Sequence, residues 1–252
     1  MITDPLFYAI AIPGVLITGI AKGGVGGGLG MLGVLLMIMV VPPPQAAAIM
    51  LPILCLMDPL SAWAYRRTWH RGNVVVLLSG AAFGMVGGIL VFGLLDGAVI
   101  RLIIGGLVMV FIANHLLALG SRVERRTPSR PVGVVCGALS GFTSFLVHSG
   151  MPTVAIYMLP QRLDKAVFVG TTVIYFFAVN YAKLVPYGYL GLFDTTNLAT
   201  SLVLAPLAPI GVWMGIRINR WLSQTWFYRI CYFFLFASGL KLLYDGATQL
   251  LG

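Results

Sequence analysis

Residues 21 to 30 read AKGGVGGGLG, six glycines and a lysine, Lys22, set between two apolar runs. Glycine weakens a helix, and an ammonium is expensive in hydrocarbon. At membrane depth such a stretch survives only where its backbone is buried in protein or lines a watery cavity. What surrounds it decides whether it lies in a membrane at all.

The 252-residue chain is 59% hydrophobic and 9% charged, against about a quarter charged in a soluble domain, and its mean hydropathy is +0.97. Runs with few charges recur from Pro44 to Tyr65, Val74 to Leu95, Ile100 to Leu119, Val167 to Val185, Leu198 to Gly215 and Phe227 to Leu243. Each approaches the roughly 20 residues that cross about 30 Å of hydrocarbon. The expected fold is all-α, a polytopic membrane protein whose first partner is the lipid bilayer. The formal net charge of +9 does not point to nucleic acid, because the basic residues punctuate the ends of the apolar runs, a pattern that reports orientation in a bilayer. MITDPLFYAI lacks a basic n-region and a cleavage site, so the first apolar stretch is expected to be retained. Cys55, Cys136 and Cys231 are odd in number and widely spaced inside apolar runs, as free thiols would be.

SRVERRTPSR, residues 121 to 130, divides the chain near its middle into an expected first repeat, 1–125, and second repeat, 126–252. Sliding one half over the other by about 122 to 128 residues places Asp58 on Asn180, Asn73 on Asn197 and Arg101 near Arg229. The front of the first half, AKGGVGGGLGMLGVLLMIMVVPPP, then meets SGFTSFLVHSGMPTVAIYMLP in the second. Each half reads as one broken, re-entrant helical segment plus three transmembrane helices. If both broken segments turn back, the basic loops at 66–71, 121–130, 161–165 and 217–220 share one side, as the positive-inside rule asks. An odd number of crossings per repeat makes the two halves inverted. Pieces of about 16 and 10 to 13 residues are too short to span alone, which places both breaks near the midplane, at the repeat interface.

A helix that restarts inside a membrane presents unpaired N–H groups and the positive end of its dipole, a ready anion site. Gly23, Gly24, Gly26, Gly27 and Gly28 would let a ligand approach the backbone of the first break. The second break offers Ser144, His148, Ser149 and Gly150, whose hydroxyls and imidazole can donate to an oxyanion. Lys22 is expected either to meet the substrate or to pair with Asp58; Asp58 is read as an ion-pair or hydrogen-bond partner, with proton carriage the second choice. Lys183 is expected to snorkel to the outer surface, with Asn180 near it in a supporting place. His148 changes charge near neutral pH, which makes a proton the candidate coupling ion. Gly80, Gly84 and Gly88, spaced by four, form a close-packing face, serving contacts within the chain or between subunits of a homodimer.

Other chemistry finds little support. GLGMLG at 28–33 matches a dinucleotide pattern without the preceding strand or the later acidic residue, His70 and His115 have no second ligand at helical spacing, and Ser149 beside His148 does not make a catalytic set. No cofactor, metal or catalytic residue is therefore expected. A secondary transporter leads; an anion channel on the same fold and a membrane-embedded enzyme remain as alternatives.

The glycine-rich break, the VPPP turn, RRTWHRGNVVVL at 66–77 and AVFVGTTVIYFFAVNYAKL at 166–184 together resemble the sulfite exporter family of the TauE/SafE type, also called toluene-sulfonate uptake permeases. The resemblance covers nearly the whole chain. It implies a multi-pass carrier of the bacterial cell inner membrane for sulfite, a sulfonate or a similar small organosulfur anion, with binding residues at Gly23 to Gly30 and Ser144 to Pro152; neither the residues nor the family sets the direction, for which export is the expectation. One departure from the family's pattern is the GTT of the second half, Gly170 to Thr172, whose first-half counterpart here reads IML; Thr171 is expected in a supporting place.

Overall fold

The structure, a computed structural model, describes residues 1–25, 30–92 and 128–251 and, between these last two, residues 98, 102, 105, 106 and 108–113. Every regular element among the described residues is helical. Helix α1, Pro5–Ile20, runs on through one wider turn, Ala21–Val25; α2 is Leu32–Met37, α3 Pro43–Ala64, α4 Arg71–Leu90, α5 Arg130–Val147 and α6 Met151–Met158. Then follow α7, Lys165–Tyr189, α8, Thr195–Leu204, α9, Leu207–Trp221, and α10, Gln224–Leu251. The starts are written locally: Asp4, Asp164 and Asp194 accept from the N–H groups of Leu6, Ala166 and Asn197, and proline opens α1 and α3. The expected repeat boundary at 125/126 lies outside the described residues.

Among the described residues, six helices are long and apolar enough to cross a membrane, and a seventh if α8 and α9 form one span bent by 45°. The sequence reads Leu198 to Gly215 as one full span. Pro206 and Pro209 each remove a backbone donor, which bends the helix between them and α8.

Both broken segments turn back on themselves. Gly14 of α1 lies against Gly33 of α2, and Thr18 Oγ1 donates to Gly14 O at 2.9 Å and across the break to Gly30 O at 3.1 Å. In the second half Gly133 lies against Tyr157, and Ser140 Oγ crosses its break to Gly150 O at 2.8 Å. One hydroxyl therefore staples each hairpin, satisfying a carbonyl that the broken helix leaves open. The first hairpin opens where Ile2 N–H donates to Thr200 Oγ1 at 3.0 Å. The second opens where Asn73 Nδ2 donates to Gln161 Oε1 at 2.8 Å.

The first arms are longer than expected. Pro5–Val25 has 21 residues and Arg130–Val147 has 18, each about enough to cross the hydrocarbon alone; the first is kinked at Gly24, whose backbone leaves the helical region, and Gly23 and Gly24 pack on α9. Tyrosines bind the far ends of both arms: Tyr65 OH donates to Gly23 O at 2.8 Å and Tyr187 OH to Phe145 O at 2.6 Å. Tyr65 and Tyr187, like Gly23 and Phe145, are separated by the same 122 residues as Asp58 and Asn180. Tyr65→Phe and Tyr187→Phe should each cost about 1 kcal/mol, the net worth of one such bond; matched melting shifts of the two purified variants would check that the contacts are equivalent.

The halves interlock. Gly19 and Gly23 of the first half pack on Gly211 and Gly215 of α9, while Gly80 and Gly84 of α4 pack on Val134 and Ala138 of α5, answered by Gly137 and Gly141 against Leu77 and Ala81. The glycine face at 80, 84 and 88 is thus occupied within the chain. Helices α3 and α7 meet across the middle, where Tyr181 OH donates to Cys55 O at 3.2 Å.

Three of the four basic loops meet at one end. His70 N–H donates to Thr171 Oγ1 at 2.8 Å, Lys165 Nζ to Asn219 O at 2.6 Å, and Gln224 Nε2 to Leu163 O at 2.7 Å. Most of the fourth, 121–127, lies outside the described residues. The same end carries Arg66 over Trp63 at 4.5 Å and Arg229 over Trp226 at 5.2 Å, the amphipathic pairing suited to a membrane–water interface.

Candidate functional site

The charged groups are brought together where α1, α3, α5 and α7 meet. Lys22 Nζ forms an ion pair with Asp58 Oδ1, and Asp58 Oδ2 accepts from Asn180 Nδ2 at 2.8 Å. Asp58 is fully buried; a carboxylate there stands only because both its oxygens are engaged.

The second half builds a different cluster. Lys183 is also fully buried, which corrects the expectation that it snorkels outward: α7 continues to Tyr189 and turns Lys183 into the bundle. Its Nζ donates to Ser144 O and Ser144 Oγ, both at 3.0 Å, and lies 2.7 Å from His148 Nδ1. His148 Nε2 lies 3.1 Å from Ala47 O. A carbonyl only accepts, so Nε2 carries the hydrogen and Nδ1 offers its lone pair to the ammonium. His148 also sits in the left-handed region, φ 53°, at the end of α5. Glycine is usual at such a helix end, and a side chain there costs about 1–2 kcal/mol; the chain bears that cost and gains an imidazole aimed at Lys183.

Between these clusters lies a cavity of about 70 Å³, room for roughly five waters or one small anion. Lys22, Ser144, His148, Asn180, Thr18 and Thr172 give it polar walls, and Met31, Met151, Val173 and Phe176 an apolar one. Gly30 and Met31 precede α2 and Met151 opens α6, so both helix restarts face the cavity. Leu54 and Phe176, which also line it, stand near the middle of α3 and α7.

Of the residues expected at the site, Lys22, Ser144, His148 and Asn180 line the cavity, and Asp58 and Lys183 stand directly behind it. The others do something else. Gly23 and Gly24 pack on α9, where a Cβ would run into Val212 O and the Asn219 side chain, and Gly24 O accepts from Asn219 Nδ2 at 2.6 Å; they are packing glycines. Gly26, Gly27 and Gly28 lie outside the described residues. Ser149 faces Met31 and Gly150 accepts the Ser140 staple, so both hold the break rather than line the space. Thr171 donates to Val167 O at 2.6 Å and accepts from the His70 N–H, tying α7 to the basic end. Thr18, Thr172, Met31, Met151 and Phe176 were missed. The 3.6-residue turn could have found Thr172, Phe176, Asn180 and Lys183 as one face of α7. Among the described residues no group of three His, Cys, Asp or Glu is placed to hold a metal.

A small cavity with buried cations, hydroxyl and amide donors and two helix starts is chemistry for a small anion. No curated protein and no solved structure matches the chain. The family model described as "Sulfite exporter TauE/SafE" matches residues 11–242, so this multi-pass membrane chain belongs to the sulfite exporter TauE/SafE family, a family of transporters for sulfite- and sulfonate-type anions.

Proposed function

We propose that the protein is a secondary transporter that moves a sulfite- or sulfonate-like anion outward across the cell inner membrane. The anion sits in the cavity between the two breaks, at mid-height of α3 and α7, and the two halves act as inverted repeats that rock around it. The observation that carries this reading is the convergence on one cavity of both helix restarts with Lys22, Ser144, His148 and Asn180. The hairpins that open toward different parts of the bundle, and the tyrosine contacts repeated 122 residues apart, support the repeat. Asp58 supports the site from behind, and the one proton that Lys183 and His148 share is the proposed coupling ion.

Purified protein in liposomes should exchange labelled sulfite or methanesulfonate with saturation. Ser144→Ala and Asn180→Ala should each lower flux at limiting substrate by about tenfold or more, since a hydrogen bond to a charged group is worth about 1.5–3 kcal/mol. Absence of exchange by the wild type, or undiminished exchange by both variants, would overturn the assignment; non-saturating single-channel currents would make it a channel.

A further inference from the structure

The two halves treat their lysines differently. At the offset of 122 residues that joins Asp58 to Asn180, Lys22 corresponds to Ser144 and Ser61 to Lys183. In the first half the chain supplies a carboxylate to its own lysine. In the second half the place of that carboxylate is taken by the neutral Asn180. All three hydrogens of the Lys183 ammonium go to neutral acceptors, and among the described residues no carboxylate pairs with it. Only one hydrogen fits between Nζ and Nδ1 at 2.7 Å, so Lys183 and His148 hold at most one positive charge between them.

We propose that the cavity carries one uncompensated positive charge and takes a single monoanionic head group, which is to Lys183 what Asp58 is to Lys22. This rests on the anion-carrier reading and narrows its substrate to monoanions. Lys183 is a positioning residue: its hydrogens are occupied, and it acts through Ser144, whose Oγ accepts from the ammonium and whose own O–H is left to donate into the cavity. Asn180 has a second amide hydrogen and Lys22 a third ammonium hydrogen for the same purpose. The same cavity is also lined by Met31, Met151 and Phe176, apolar surface that receives a methyl or short alkyl group and penalises a second charge. A dianion of the same size meets one positive charge too few and an apolar face.

Methanesulfonate and sulfate test this, being alike in shape and different by one charge. Titrated into the purified full-length protein, methanesulfonate should bind at least about tenfold more tightly than sulfate. Asp58→Asn releases Lys22 and should move the preference toward sulfate by about tenfold, a shift that a merely structural role would not produce. Equal binding of the two anions by the wild type, or an Asp58→Asn protein with the wild-type ratio, overturns the proposal while leaving the anion site standing. If neither anion binds to the wild type, the anion site falls as well.

Discussion

Lys22→Met should destabilise the protein by about 3–5 kcal/mol, the cost of leaving one member of a buried ion pair alone. Asp58 has a side chain only 1% exposed and would keep Asn180 as its sole partner, whereas Lys22, at 14%, faces the cavity and its water. The two single variants are therefore unequal. Asp58→Asn preserves a partner for Asn180 and leaves an ammonium that is partly solvated, so it should cost clearly less. The double variant Lys22→Met/Asp58→Asn removes both charges and should recover most of the loss. Melting of the detergent-purified proteins measures all three; a Lys22→Met protein that melts with the wild type, or below which the double variant falls further, would refute the pairing as the source of stability.

Gly84→Leu should be as damaging by a different route. A Cβ on Gly84 would fall inside the van der Waals surface of the Ala138 carbonyl oxygen, and both atoms belong to helical backbone that cannot give locally. Overpacking costs about 1–3 kcal/mol where side chains can adjust. Here the helices themselves must part, and with them the seam in which Gly80, Gly137 and Gly141 also take part, so we expect a loss above that range and little monodisperse protein. Gly188→Ala is the control: nothing lies within 4 Å of a Cβ there, and alanine is the better helix former. Chromatographic profiles that do not separate the two variants would show that the seam is looser than its geometry.

Much of this was legible in the sequence because it depended on spacing. Hydropathy gave the membrane class, loop charges grouped the basic turns, and the offset of the halves put Asp58 on Asn180, which prove to be bonded to each other. What failed depended on direction. Glycines that cradle a ligand and glycines that admit a neighbouring helix look the same in one dimension, so Gly23 and Gly24 were assigned to the anion although α9 fills their side. Thr171 and Thr172 differ by about 100° around α7, enough to send one to the basic loops and the other to the cavity. Lys183 lies close enough to the polar turn after α7 to reach it, and no local signal says that Ser144 and His148 hold it back.

The interlocking of the halves sets a clock on assembly. Gly211, which receives Gly19, is synthesised 192 residues later, a delay of roughly 10–40 s at about 5–20 residues per second. For that interval α1 lies in the bilayer with its narrow glycine groove covered by lipid tails or by an insertion factor. A helix made late completes the packing of the first, so a nascent chain stalled before α9 leaves an unfinished groove in the membrane.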